Sequence, residues 1–312
     1  MRAMTLREYG DADRLRLEDM PEPVPGPGQV LIRVEAIAAA YYEVGIRSGQ
    51  FPLPTGLPMV FGFEAAGTVV GGPLKGQRVA AMTFSCGAWA EYLAAPVEEV
   101  TPIPDSVSTT DAVAAATPGS VALALLRKAN ARGEQVLVEA AGSGGVGSYL
   151  VQLAHRNGAA HVTATAGSAA KREFAARLGA DLVLDHHDPQ WTDEVPRGLG
   201  VIFEAIGGRT SKNLLDALAS GTGRMLYYGL LSGAQPAIEA ADLAYRGLTF
   251  TGCAGLDAWA KEVRATRADV LELLAKGRLE APIHGTFPLE DAVKAQRLVE
   301  DHAVLGRVVL RP

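Results

Sequence analysis

The sequence predicts an α/β fold, with a β-rich region over residues 1–118 followed by a doubly wound parallel sheet. Two patterns predict it. Residues 1–100 alternate β-rich runs (QVLIRVEAIAA, EAAGTVV, QRVAAMTF, WAEYLAA) with Pro- and Gly-rich turns such as PEPVPGPG and FPLPTGLP, as a compact, irregular β domain does. From about residue 119, helical and strand patterns alternate: VALALLRKAN, VLVEAA, SYLVQLAHRNG, HVTATA, KREFAARLGA, LVLD, VIFEAIGG, NLLDALAS, GRMLYYG and LTFTGCAG. Such alternation reads as a parallel sheet with helices on both faces. Residues 257–279 read as an amphipathic helix pair, and the stretch from Pro282 to Pro312 ends in a helix and a short strand.

The most specific signal lies at residues 136–158, where a β-branched run leads into Gly142-x-Gly144-x-x-Gly147 and then an apolar helical pattern. This order suits a dinucleotide: the first glycine makes the tight turn, the second admits a pyrophosphate, and the third seats the helix against the sheet. Ser143, Gly145 and Val146 complete a loop whose helix amides would hold the phosphate. An NAD site normally offers a carboxylate to the ribose about 20 residues further on. Here the second strand reads HVTATAGSAAKRE, and Thr165, Ala166 and Gly167 supply none. Ser168 reads as a helix N-cap, placing Lys171 and Arg172 in or beside a first turn where the helix dipole disfavours cations. A phosphate among them resolves that conflict, which favours NADPH over NADH, with Ser168, Lys171 and Arg172 around the 2′-phosphate. The alternative is a pair of solvated cations with Glu173 as local partner.

Composition bounds the function. At 312 residues the chain has room for two cores, and its formal net charge of −6 gives no basic field for nucleic acid. No apolar run is expected to reach the ~20 residues of a membrane span. The start, MRAMTLREYG, is charged and strand-like rather than a signal peptide, so the cytoplasm is the expected compartment. Cys86 and Cys253 form no CxxC, so neither a disulfide framework nor a structural zinc site is expected, and both read as buried small residues.

An ordered set of segments now carries a resemblance: PGPGQVLIRVEA, IRSGQFP, GFEAAGTV, GAWAEYLAAP, SGGVGSYLVQLA, LGAD, FEAIGG, PLEDAVKAQRLVE and LGRVVL. Nearly end to end, the chain resembles the medium-chain dehydrogenase/reductase superfamily, in its zinc-independent quinone oxidoreductase-like branch. The resemblance implies a GroES-like β-rich substrate domain over 1–118, completed by 257–312, with a Rossmann NADPH-binding domain over 119–256 inserted between them and a substrate cleft between the lobes. It also implies a homodimer that pairs the strand near Leu248–Thr251 across a two-fold axis. Gly207 and Gly208 fall where relatives line the nicotinamide half of the cofactor, Tyr228-Gly229 and Phe250-Thr251-Gly252 on the ligand edge of the sheet, and His186 at the adenosine end. Zinc-bearing relatives place a Cys within the loop at Ala38–Glu43, a His where this chain has Phe63, and a four-Cys lobe where Cys86 runs directly into GAWAEY. No bound metal is therefore expected.

Without a Lewis acid to polarise a carbonyl, hydride transfer suits an acceptor already electrophilic and conjugated, a quinone or an α,β-unsaturated carbonyl. The chain also departs from its relatives, which commonly have Asn at Ala40, Asp at Glu43, Tyr at Phe51 and Thr at Val121. Three of these four changes remove a polar group. Tyr41 and Tyr42 are the candidates to supply a proton, and on an extended strand only one of the two would face a cleft. Tyr41, Tyr42, Phe51 and Phe63 would border an aromatic acceptor pocket, while Glu64 reads as a hydrogen-bonded structural carboxylate. Two classes of function follow: an NADPH-dependent reductase of quinones or activated alkenes, including enoyl thioesters, or a protein that keeps the cofactor site without ordinary redox turnover, as a binding or structural module or a cyclase.

Overall fold

The computed structural model describes residues 1–51, 53, 56–254 and 258–312. The chain divides into two compact units, Met1–Pro118 with Arg267–Pro312, and Gly119–Thr266. The boundary expected at 256/257 lies outside the described residues.

In chain order the first unit holds β1 (Arg2–Leu6), β2 (Leu15–Asp19), β3 (Gln29–Ala39), α1 (Tyr41–Ser48), β4 (Met59–Val60), β5 (Glu64–Gly71), β6 (Arg78–Met82), β7 (Tyr92–Pro96) and β8 (Val100–Pro102). Helix α2 (Thr109–Ala129) runs from the first unit into the second, with Pro118 inside it. The second unit holds β9 (Gln135–Val138), α3 (Val146–Ala154), β10 (His161–Thr165), α4 (Ala169–Arg177), β11 (Leu182–Leu184), β12 (Val201–Glu204), α5 (Gly208–Leu214), β13 (Arg224–Tyr227), α6 (Ala240–Ala244) and β14 (Thr249–Gly252). After α7 (Ala258–Ala275), the first unit is completed by β15 (Ile283–Pro288), α8 (Ala292–Glu300) and β16 (Arg307–Arg311).

The C-terminal segment enters the β-rich unit as a strand. β16 pairs antiparallel with β3, with Val308 opposite Ala39 and Leu310 opposite Ile37, and parallel with β15. Burying Val308 and Leu310 beside Ile32, Phe61, Phe63, Trp89 and Leu93 closes one apolar core from both ends of the sequence. The second unit is a six-stranded, all-parallel sheet in the order β11-β10-β9-β12-β13-β14, so β9 is central and the order reverses beside it.

Three expectations are corrected. Residues 258–275 form one helix rather than a pair, because no Pro or Gly interrupts them. Tyr41 and Tyr42 open helix α1 instead of lying on an extended loop. Contrary to the expectation of no such run, helix α2 is long and apolar enough to cross a membrane; 72% of its most apolar window is buried inside the protein, as in a core helix.

Candidate active site

The glycine loop leaves β9 where the strand order reverses, the ligand-binding position of a doubly wound sheet. Helix α3 begins at Val146, immediately after Gly145, so its first amides face the loop. Close approach dictates the glycines. A Cβ on Gly147 would stand 2.8 Å from Ala140 O and 2.9 Å from Ala141 Cα, and one on Gly142 would stand 2.6 Å from Lys171 Cβ and 2.8 Å from Ala166 Cβ. The third glycine thus seats α3 on the strand end, and the first lets the β10–α4 turn close onto the loop. Gly144 is buried between them, while Ser143 and Gly145 are half-buried. Both close approaches are to the protein itself, so these two glycines hold the loop tight against the strand end and the β10–α4 turn with the first α3 amides beside it, the backbone arrangement that a dinucleotide site uses.

At the end of β10, Thr165 is buried and braces this loop: its Oγ1 accepts from the Ala140 amide at 3.1 Å, and its carbonyl from the Ala141 amide at 2.9 Å. Ser168 is the N-cap of α4, accepting from the Lys171 amide at 3.3 Å. Lys171 is half-buried, and that burial lowers its ammonium pKa. The structure commits Arg172 to Asp185, whose other oxygen accepts from the His187 amide at 3.0 Å. Arg172 thereby ties the start of α4 to the turn after β11. Above Gly167 lie two histidine rings, since a Cβ there would stand 2.6 Å from His186 Nε2 and 2.5 Å from His187 Cε1. The approach of His187 to Gly167 depends on β10 and β11 being parallel neighbours, which residue spacing does not reveal.

Beyond β12, the Gly207 amide donates to Glu204 Oε1 at 2.6 Å and the Gly208 amide to Ala234 O at 3.0 Å. Both amides therefore hold the loop together. Gly229 lies against Ala205, and the neighbouring Tyr228 phenol has its pKa pushed far up by burial and by the Glu139 and Glu204 carboxyls. Of Phe250, Thr251 and Gly252, only Gly252 stands at the C-terminal end of β14. Phe250 lies mid-strand, its ring stacked on Tyr227 at 5.8 Å.

In the first unit, helix α1 parts the two tyrosines. Tyr42 points inward, its hydroxyl donating to Glu64 Oε1 at 2.9 Å, while Arg307 Nη2 donates to Glu64 Oε2 at 2.9 Å. Burial and the adjacent Glu64 push the Tyr42 phenol well above its usual pKa. Tyr41 is 36% exposed and stacks on His302 at 4.8 Å. One helical turn on from Tyr41, the Phe51 ring lies over Gly45, where a Cβ would meet it at 2.4 Å. Phe51 is 46% exposed. Phe63, by contrast, is buried edge-on to Tyr42 and Phe61 and belongs to the core, which corrects its assignment to a pocket wall. Ala40 caps α1 and is buried, and Val121 is half-buried in α2.

Glu43 completes the cluster. Its Oε2 accepts from the Ala40 amide at 2.8 Å and its Oε1 from the Phe63 amide at 3.2 Å, tying the start of α1 to the strand that carries Glu64. Burial first, and the nearby Glu64 second among the raising causes, push its carboxyl pKa up to about 8. A carboxyl whose folded pKa lies above its unfolded value binds its proton more tightly when folded, so stability falls as pH rises. The window runs from the ordinary carboxyl value of 4.5 to about 8, with a slope of up to about 1.4 kcal/mol per pH unit. Urea midpoints across that range should show the slope in the parent and lose that component in Glu43→Gln; parallel profiles would show that Glu43 is not the titrating group.

Comparison with known proteins places these features in a family. A zinc-binding dehydrogenase model matches residues 145–276, and an alcohol dehydrogenase GroES-like domain model matches residues 26–105. The chain is 30% identical to quinone oxidoreductase of Mus musculus, covering 99% of this chain and 97% of the relative. It is 29% identical to a 2-haloacrylate reductase of a Burkholderia species, covering 99% and 98%. The structure of Escherichia coli quinone oxidoreductase complexed with NADPH superposes with a TM-score of 0.91 at 25% identity, covering both chains completely. The first model's description names zinc, yet among the described residues no group of three His, Cys, Asp or Glu side chains is placed to hold a metal ion. The described residues do not fit that metal.

Proposed function

The chain belongs to the quinone oxidoreductase family of the medium-chain dehydrogenase/reductase superfamily, and from that premise we propose that it is an NADPH-dependent, zinc-independent reductase of quinones or activated alkenes. One observation carries the reading: a glycine cradle too close for a Cβ at Gly142 or Gly147, opening onto the start of α3, with Ser168 and Lys171 beside it and no carboxylate at Thr165–Gly167. NADPH, when bound, supplies a hydride to a conjugated acceptor. The loop and the α3 amides hold the pyrophosphate, and Ser168 and Lys171 receive the 2′-phosphate. Tyr41 holds the proton that completes alkene reduction, and the exposed Tyr41 and Phe51 rings suit a planar, largely apolar acceptor. The reductases named for quinone and 2-haloacrylate among the relatives support both acceptor classes.

Absorbance of NADPH, followed with a panel of quinones, enones and enoyl thioesters, tests the reaction. No oxidation by any of them would favour the second reading, a cofactor site without ordinary turnover. That reading draws on Ala40, Phe51 and Val121, where the polar side chains of relatives are missing.

NADPH is expected to bind at least about tenfold tighter than NADH, about 1.4 kcal/mol or more. Fluorescence titration of both cofactors reads the difference, and Lys171→Ala should weaken NADPH while leaving NADH nearly unchanged. Equal affinities would remove the role given to Ser168 and Lys171. We further propose a homodimer built on the edge strand β14, which pairs only with β13 among the described residues. Sedimentation velocity should give twice the chain mass at micromolar concentration, and a monomer there would refute the proposal.

A further inference from the structure

Beneath the cradle lie two carboxyls that the reaction does not use. Glu139 follows β9 and Glu204 ends β12, and the register that pairs Val138 with Phe203 carries the two glutamates side by side. Both are fully buried. Glu204 Oε1 accepts from the amides of Ile206 at 3.1 Å and Gly207 at 2.6 Å, and from the Ser211 hydroxyl at 3.1 Å. Glu139 Oε2 accepts from the Ala205 amide at 3.2 Å. Glu139 Oε1 and Glu204 Oε2 have no further partner among the described residues, and the two carboxyls interact directly with each other.

Two anions in contact, out of reach of water, repel strongly and leave lone pairs unsatisfied. A single proton between them removes the repulsion and gives both orphan oxygens a partner. The donors decide where it resides. Three groups, the Ile206 and Gly207 amides and the Ser211 hydroxyl, stabilise negative charge on Glu204, whereas Glu139 has only the Ala205 amide at hydrogen-bond distance and a weaker contribution from Ile206, so the proton belongs to Glu139. Burial, then the adjacent Glu204, accordingly raises the Glu139 carboxyl well above the ordinary range, whereas the donors around Glu204 oppose its own upward shift. The other titratable groups acting with the pair are the Tyr227 and Tyr228 phenols, both raised, so neither supplies charge at neutral pH.

We infer that Glu139 is a neutral acid donating a hydrogen bond to the Glu204 carboxylate, and that this shared proton is a positioning device for the two loops of the dinucleotide site. One loop, 140–147, continues directly from Glu139, and the other, 205–208, hangs from Glu204 by two amides. On the NADPH reading above, loss of the proton places a second negative charge under the loop that receives the pyrophosphate and loosens its anchorage. Cofactor affinity then falls at alkaline pH.

Infrared spectroscopy of the cofactor-free protein tests the proton directly, since a protonated buried carboxyl has a C=O stretch distinct from that of a carboxylate. Glu43 is also raised, so Glu43→Gln serves as the background. At neutral pH that protein should retain an acid C=O band, and adding Glu139→Gln should abolish it. Absence of the band from Glu43→Gln overturns the inference even if the second variant fails to fold. In NADPH titrations between about pH 6 and about pH 9, parent affinity should fall at least about tenfold further than that of Glu139→Gln, whose remaining slope reports the Lys171 ammonium common to both proteins. Equal pH dependence in both proteins overturns the coupling to the loops. Failure of NADPH to bind at any pH, with the band present, would instead count against the cofactor reading alone.

Discussion

Replacing Arg307 by Met is expected to lower the stability of the folded protein by about 3–5 kcal/mol at neutral pH. Arg307 Nη2 and Glu64 Oε2 stand 2.9 Å apart, with side chains only 9% and 1% exposed. Water cannot replace the lost cation, and the Glu64 carboxylate would remain buried with the Tyr42 hydroxyl as its remaining side-chain donor. The variant should therefore shift the urea midpoint far more than a surface Arg substitution does. Glu64→Leu on top of Arg307→Met should recover much of the loss, because it removes the unpaired charge; what persists is the cost of leaving the Tyr42 hydroxyl without its acceptor, about 1–3 kcal/mol. If the single substitution costs under about 1 kcal/mol, the pair behaves like a surface ion pair and the buried network is not a structural anchor.

That network shows how far the residues could be read before folding. Glu64 was legible as a buried, hydrogen-bonded carboxylate, but its partners were not, because Arg307 reaches it from 243 positions away on the last strand. The cofactor cradle was legible because its parts are local: the β-branched strand, the three glycines and the Ser168 cap lie in one strand–helix–strand–helix run. The Arg172–Asp185 pair and the His187 ring over Gly167 depend on the β10–β11 register, and the Glu139–Glu204 pair on the β9–β12 register. Register across a parallel sheet is set by packing rather than by neighbouring residues, so none of these approaches could be seen from spacing.

Helix α1 failed for a different reason. Its opening Tyr41-Tyr42 has strong β-propensity, and Ala40 is a poor N-cap by residue type. The stabilising signals lay further along: Glu43 at the third helical position reaches back to the Ala40 amide, and Gly49 takes a left-handed C-cap with φ of 84°. The helix overrode local preference through those two ends and through the buried Arg47, which donates to Gln296 Oε1 at 3.0 Å and Glu300 Oε2 at 2.7 Å.

On the proposed reductase reading, helix α1 makes Tyr41 rather than Tyr42 the candidate proton donor, and Tyr41→Phe is expected to lower turnover of an enone by about 10²–10⁴-fold. Tyr42 already donates its hydroxyl proton to Glu64, in a site where burial holds the phenol neutral, so Tyr42→Phe should mainly cost stability, about 1 kcal/mol. Tyr41 projects its ring outward against His302, 36% exposed. Removing its hydroxyl preserves the stacked ring, so the thermal melt should be unchanged while alkene reduction slows. A quinone should be affected far less, because the oxygens of the reduced product take protons directly from solvent, whereas the carbon protonated in alkene reduction needs a donor held beside it. Turnover of one enone and one quinone by the parent, Tyr41→Phe and Tyr42→Phe proteins separates these cases. Enone reduction at the parent rate by Tyr41→Phe would make that tyrosine a packing residue and leave water or the acceptor itself as the proton source.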